Sequence, residues 1–175
     1  PVREAFRKLA KDNLVVIVPW KGVTVKADTP EEIVALYQCR EVMEGLGARL
    51  CARHATPEQV AELKELCKEM HAIEDATARV EVNSRFHSMI AQFSGNDRVV
   101  DYLADFRERV NRDMYLSSFN AVRTHDCDDE HDHIVDAIER HDEVAAENAM
   151  RKHINNAFIF KRANAELQDK NLNEV

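Results

Sequence analysis

Two copies of the same helix-start signal limit the fold of this chain more than any other feature. Residues 29–32 read TPEE and residues 56–59 read TPEQ. In each, the threonine can cap a helix, the proline fits its first turn, and the last residue can close a capping box. The 175 residues include only four glycines and four prolines, too few for the many turns of an all-β fold. The sequence therefore predicts an all-α body that begins near residue 28.

The spacing of apolar residues divides this body into six helices. We predict them at about 30–54, 57–73, 77–93, 97–118, 127–140 and 143–168, with residues 119–126 as a connection. Short connections join neighbouring helices, so the body should be an antiparallel bundle. No apolar run approaches the ~18 residues that a membrane span needs, and we expect no contact with a membrane.

The first 26 residues have a different pattern. The stretch VREAFRKLA has apolar residues at helical spacing, and the β-branched runs LVVIV and VTV flank WKG, which predicts a helix followed by a β-hairpin. Residues 1–26 carry six Lys/Arg against two Asp/Glu, whereas the rest of the chain carries 18 against 30. We predict two domains, 1–26 and 27–175, of which only the first has the charge to meet a polyanion.

The cysteines favour a reducing compartment. Cys39, Cys51, Cys67 and Cys127 show no CxxC spacing. They are typical of reduced thiols rather than of a disulfide framework, so we expect a cytoplasmic protein.

Three histidines lie on the inward faces of three different predicted helices. His87, His131 and His153 each interrupt an apolar stripe, and Asn83 lies one helical turn before His87. For a single histidine, a hydrogen-bonded core residue is the simpler interpretation. Three on separate helices favour a shared divalent ion, because neutral imidazole is the commonest protein ligand for metals. Zinc is the leading candidate, with nickel and manganese as alternatives.

Such a centre would favour an anionic ligand. Three imidazoles and one amide oxygen leave coordination positions open and leave the charge of the ion uncompensated. Arg40 also falls within an apolar stripe, that of the first long helix, and a buried guanidinium needs an acceptor. Two interpretations stay open for Arg40: a salt bridge with an acid of the bundle, or a bidentate grip on the carboxylate of an effector.

Several segments resemble a known family. PVREAFRKLAKDNLVVIVPWKGVTV resembles the end of a winged helix-turn-helix of the GntR type. EEIVALYQCREVMEGLGARLCA, NSRFHSMIAQFSGN, EHDHIVDAI and HDEVAAENAMRKHI are similar to the all-helical ligand-binding (FCD) domain of the FadR-type subgroup. The resemblance implies an antiparallel bundle of six to seven helices, preceded by a helix and a β-hairpin that remain from the winged domain.

The resemblance also implies a function. Members of this subgroup are homodimeric bacterial transcription regulators that bind operator DNA and sense a small carboxylate effector near a divalent metal. The metal-binding histidines of the family carry over to His87 in NSRFH, His131 in EHDHI and His153 in RKHI. Many members have an aspartate where this chain has Asn83, which keeps an oxygen ligand but removes its charge.

The expected DNA contacts lie near the start of the chain. Arg3 matches a position that contacts DNA in the family, and Arg7 lies one turn further on. Lys21 and Gly22 lie at the tip of the wing, where backbone can approach a phosphate. The first two helices of a winged domain and the start of its recognition helix are absent, so we expect this chain alone to bind an operator poorly.

Two other functions are compatible with parts of the pattern. The pair His131-Asp132 is of the kind that HD-type metal-dependent phosphohydrolases use. However, adjacent residues on a helix point about 100° apart, and the inward stripes show no evident nucleophile or general base, so we predict that the chain is not an enzyme. The other alternative is a structural dimerisation domain with packed histidines. The first and fourth long helices are the candidate dimer surfaces.

Overall fold

The computed structural model describes residues 1–11, 14–26, 29–104 and 121–172. Its elements in chain order are α1 (Val2–Lys11), β1 (Val15–Val18), β2 (Gly22–Val25), α2 (Pro30–His54), α3 (Pro57–Ala72), α4 (Ala76–Phe93), α5 (helical over 97–104), α6 (Ala121–Glu139) and α7 (Glu143–Leu172). The predicted all-α class is confirmed. The chain divides into two compact units, Pro1–Ala35 and Leu36–Val175, while the predicted domain boundary after residue 26 stays a prediction.

The first unit contains the predicted helix and hairpin. Strands β1 and β2 pair antiparallel, with Val15 opposite Val25 and Val18 opposite Gly22. The turn between them places Trp20 at a φ of 66° and Gly22 at a φ of 97°. This left-handed backbone suits glycine and is uncommon for a bulky side chain such as tryptophan. The Trp20 side chain is fully exposed at the tip of the hairpin.

Both predicted capping boxes are present. The Thr29 backbone N–H donates to Glu32 Oε2 at 3.0 Å, and the Glu32 N–H donates to Thr29 Oγ1 at 3.2 Å. Thr56 and Gln59 exchange the same two bonds at 3.0 and 3.3 Å. These bonds satisfy backbone donors that the first turn of a helix leaves without a helical partner. They explain why α2 and α3 begin where the sequence predicted.

The second unit is a bundle in which α3 packs on α4 and α6, and α6 packs on α7. Its core consists of apolar side chains from each of these helices, and the most buried large ones are Leu63, Met70, Phe86, Ile90, Ile134, Ile138, Met150 and Ile154. The buried Asp128 of α6 accepts a hydrogen bond from Arg79 of α4, which also donates to the Met70 carbonyl at the end of α3. One arginine thus joins three helices.

A tight turn connects α6 to α7. His141 adopts a φ of 54°, and its Nδ1 lies 2.8 Å from the carbonyl oxygen of Ala52 in α2. Next to this turn, Arg53 of α2 binds both carboxylate oxygens of Glu143, at 3.0 and 2.6 Å. The turn and the start of α7 are therefore anchored to the end of α2.

The structure corrects one predicted boundary. We predicted a connection at 119–126 and a helix from 127, but α6 already begins at Ala121. The segment AVRTHD has no apolar stripe, so periodicity gave no helical signal there. Once the later turns of α6 are held by packing, each added residue extends the helix without a new nucleation cost. Residues 105–118 of the predicted fourth helix lie outside the described residues.

Within the described ranges, no helix combines the length and the apolar character needed to cross a membrane.

Two glycines of α2 give a matched test of the packing between helices. A Cβ at Gly45 would lie 2.8 Å from Arg151 Cγ, whereas a Cβ at Gly47 would lie 3.4 Å from Val99 Cγ1. We expect Gly47→Ala to stabilise the fold by up to about 1 kcal/mol through helix propensity. We expect Gly45→Ala to destabilise it by about 1 kcal/mol or more through overpacking. Urea unfolding would measure both, and a cost of Gly45→Ala that persists in an Arg151→Ala background would contradict this account.

Candidate metal centre

Helices α4, α6 and α7 each bring one histidine to a common point inside the bundle. His131 and His153 are buried and His87 is half-buried. One ligand nitrogen from each ring lies within 4.8 Å of the other two, and the Nε2 atoms of His87 and His153 are 3.3 Å apart. Two nitrogens on one tetrahedral zinc ion would be about 3.3 Å apart for bonds of about 2.0–2.1 Å. The three rings, which we call the histidine cluster, could therefore hold a divalent ion.

The apolar stripes of the three helices explain why these polar rings are inside. His131 lies one turn before Ile134 and Val135, and both of those side chains are buried. The ring of Phe86 packs against that of His131, with centroids 4.6 Å apart. Each histidine is carried inward by apolar neighbours that gain from burial. The cluster is therefore positioned by regular helices rather than by loops.

In two of the rings, a carboxylate contacts Nδ1, the nitrogen on the far side of the ring from the facing Nε2 atoms. Glu44 of α2 contacts Nδ1 of His87, and Glu130 Oε2 lies 2.8 Å from Nδ1 of His153. A carboxylate beside Nδ1 favours the tautomer in which Nδ1 carries the hydrogen, and this leaves the Nε2 lone pair for a metal. In that tautomer the two facing Nε2 atoms are both acceptors. A divalent ion placed between them would accept both lone pairs.

A buried ion pair holds the Glu44 carboxylate in place beside His87. Arg40 Nε donates to Glu44 Oε1 at 2.9 Å, and both side chains are buried. The Arg40 guanidinium also lies over the ring of Tyr37, 5.0 Å from its centroid. Burial alone raises the pKa of the Glu44 carboxyl, but His87 and Arg40 outweigh burial, so this pKa lies well below its usual range. Glu44 is therefore an ionised carboxylate that joins Arg40 to the histidine cluster.

The other predicted site residues lie in different places. Asn83 is half-buried on α4, four residues before His87, and its role as a ligand stays a prediction. Arg40 is in the internal salt bridge that the sequence left open, and its contact with an effector also stays a prediction. The predicted DNA contacts belong to the first unit and are exposed on α1 and at the hairpin turn; they are Arg3, Arg7, Lys21 and Gly22.

Sequence reasoning missed both carboxylates. Glu44 could have been found, because it follows Arg40 by four residues on the same face of one helix. Glu130 gave no usable signal, since its partners His153 and Asn156 lie 23 and 26 residues further along, on α7.

Asp132 does not join the histidine cluster. Its Oδ2 lies 2.9 Å from Nε2 of His71, at the exposed side of α3. The adjacent His131 is buried inside the bundle, as the 100° step between neighbouring helical residues requires. His131 and Asp132 therefore do not point towards one ion. The structure around the histidine cluster gives no support to the phosphohydrolase alternative.

This chain resembles one family model, several curated proteins and several solved structures. The family model for the FCD domain matches residues 35–156. The HTH-type transcriptional repressor NanR of Escherichia coli is 31% identical, over 88% of this chain and 66% of its own length. The HTH-type transcriptional repressor RspR of the same species is 28% identical, over 88% of this chain and 69% of its own length. The solved structure of E. coli McbR/YncC covers 93% of this chain and 83% of its own, with a TM-score of 0.81 at 16% identity, and so shares the fold.

Glu44→Gln should weaken the fold in a pH-dependent way. In chelator-treated protein we expect a loss of about 3–5 kcal/mol at neutral pH, because the variant leaves Arg40 buried without a charged partner. The folded pKa of Glu44 is depressed, so its contribution is present above the unfolded value of about 4.3 and is lost as the pH falls towards the folded value. Denaturant unfolding across this pH range should show the two proteins converging at low pH.

Glu143→Gln is the matched control for this experiment. The pKa of Glu143 is also lowered, first by its hydrogen bonds with Arg53, but the pair lies at the surface. Solvent screening should make its effect on unfolding much smaller. Equal losses in the two variants would contradict the special role of the buried carboxylate.

Proposed function

Because the chain belongs to the FCD-domain family of GntR-type transcriptional regulators, we propose that it is an effector-responsive regulator with a metal ion in its helical unit. The family implies DNA binding, and the relatives are transcriptional regulators rather than enzymes.

The facing Nε2 atoms of His87 and His153 carry the proposal for the ion. They lie 3.3 Å apart, and the carboxylates of Glu44 and Glu130 contact the opposite nitrogens of the two rings. Carboxylates in this position orient metal-binding imidazoles and increase their basicity. His131 supplies a third ring within ligand distance of the other two. We propose that these three histidines bind one divalent ion.

Imidazole ligands suit zinc and also nickel, while manganese prefers oxygen. We propose zinc as the ion, with the Asn83 amide oxygen as a fourth ligand. Neutral imidazoles and a neutral amide leave the double positive charge of the ion uncompensated within the first shell. Such a centre attracts an anion to any coordination position that remains open.

The effector that fits this centre is a small organic acid. One carboxylate oxygen, together with a neighbouring hydroxyl, would bind the ion. A guanidinium has five N–H donors, of which the Nε donor of Arg40 is used by Glu44. We propose that another donor of Arg40 reaches the effector. Arg40 would then join the effector to the same ion pair that orients His87.

The regulatory step follows the family pattern. We propose a homodimer that acts in the bacterial cytoplasm and binds operator DNA through a complete winged helix. Arg3 and Arg7 of α1 and the hairpin tip at Lys21 and Gly22 would contact the DNA. An effector changes DNA binding only if it binds two arrangements of the dimer with different affinity. The two arrangements would differ in the spacing of the recognition helices.

Removal of a ligand should remove the metal. We expect His87→Ala, His131→Ala and His153→Ala each to lose stoichiometric zinc after the protein is stripped with a chelator and reloaded. His133→Ala is the matched control, because His133 lies exposed on α6 two residues after His131. Elemental analysis of the reloaded protein gives the answer. Full zinc content in His87→Ala would overturn the proposed ligand set.

Effector binding should depend on the metal and on Arg40. Titration calorimetry with a panel of small 2-hydroxy acids should detect binding to zinc-loaded protein and weaker binding to metal-free protein. Arg40→Ala should weaken binding by about 1–3 kcal/mol, the contribution of a charge-assisted hydrogen bond. Arg40→Lys, which keeps the charge beside Glu44, controls for loss of the fold. Equal affinity in all samples, or tight binding of a neutral apolar compound only, would contradict a metal-anchored anion site.

A further inference from the structure

A cysteine thiol lies next to the histidine cluster. Cys127 is on α6, three residues before Glu130 and four before His131, so it lies about one helical turn from each of them. Its Sγ lies 3.9 Å from Nε2 of His131. The thiol, a carboxylate oxygen of Glu130 and a ring nitrogen of His153 also lie within 4.8 Å of one another. His153 therefore belongs to two overlapping groups of ligand atoms.

We propose that Cys127 supplies a thiolate ligand to the divalent ion held against His153. This inference rests on the proposed function, because it takes ion binding at the histidine cluster as given. It adds Cys127 to the ligand set, while Glu130 keeps its contact with Nδ1 of His153. Ligand atoms on one ion lie on the order of 3.5 Å apart when bonds are about 2.0–2.3 Å. The 3.9 Å between Sγ and Nε2 of His131 is close to that distance, so the two atoms are near enough to share one ion.

The chemistry of a thiol narrows the choice of metal. On binding, the thiol releases its proton to solvent and coordinates as a thiolate, without oxidation or reduction. A thiolate favours zinc over manganese, which prefers oxygen ligands. Its negative charge compensates one of the two positive charges of the ion, and the remaining positive charge still favours an anionic effector. The histidines alone already favour zinc and nickel, and a thiolate adds to the preference against manganese.

The other cysteines differ from Cys127 in their surroundings. Burial raises the pKa of Cys51 and of Cys67 to about 12, and both thiols lie among core side chains. Cys39 is exposed on α2. Within the part of the chain that the structure describes, Cys127 is the one cysteine in a group of candidate metal ligands. Cys39→Ser is therefore the matched control for Cys127→Ser.

Cobalt substitution tests the proposal directly. We would load the chelator-treated full chain with Co²⁺ and record its absorption spectrum. Visible ligand-field bands report bound cobalt, and a near-ultraviolet charge-transfer band reports a thiolate–cobalt bond. We expect both in the wild type and in Cys39→Ser. In Cys127→Ser we expect the charge-transfer band to disappear while ligand-field bands remain. A charge-transfer band that persists in Cys127→Ser would overturn the assignment of Cys127.

The same spectra separate this proposal from the proposed function. Bound cobalt without a charge-transfer band in the wild type would overturn the thiolate ligand and leave the histidine site intact. No bound cobalt would overturn both.

Competition between zinc and manganese gives a second measurement. We expect Cys127→Ser to lower zinc affinity by about tenfold or more, since even outer partners of metal ligands change affinity about 10–100-fold. Manganese affinity should change much less, because manganese gains little from a thiolate. Equal losses for the two ions would count against a thiolate in the shell.

Discussion

One buried carboxylate, that of Glu44, joins a buried arginine of the bundle core to the histidine cluster. It accepts a hydrogen bond from Arg40 and contacts His87, so a single side chain compensates a buried guanidinium and orients a ring of the histidine cluster. Neither neighbour would be stable at this depth alone, because a buried charge or an unsatisfied ring nitrogen carries a large desolvation cost. The arrangement of α2 against α4 and the direction of the His87 ring therefore depend on the same pair of oxygens. A function that needs a fixed imidazole obtains it from an interaction that the fold also requires.

Much of this fold could be predicted from local sequence signals. The two capping boxes mark the starts of α2 and α3, since they involve residues three apart, and the structure contains both. The inward positions of His131 and His153 follow from the helical period in the same way, and both rings are buried. These features depend on interactions within one or two turns of helix, which a sequence shows directly.

The parts that could not be predicted depend on contacts between distant segments. Glu130 is positioned by His153 and Asn156 of the next helix, and no spacing within α6 indicates that contact. The first turns of α6 were missed because they lack an apolar stripe and are helical only as a continuation of packed turns. For Arg40, the spacing within α2 could have identified Glu44 as its partner. Only the structure shows that the same carboxylate also contacts His87 of α4.

The short turn at His141 has a further consequence for the histidine cluster. The turn joins α6, which ends at Glu139, to α7, which begins at Glu143, and it is anchored to the carbonyl of Ala52. His131 precedes this turn and His153 follows it. Their rings meet because the turn fixes where α6 ends and where α7 begins. One residue inserted within α6 or α7, between this turn and either histidine, would shift that histidine by about 1.5 Å and rotate it by about 100°, which is enough to turn its ring away from the cluster. The number of helical residues between this turn and each histidine therefore determines whether the two rings meet.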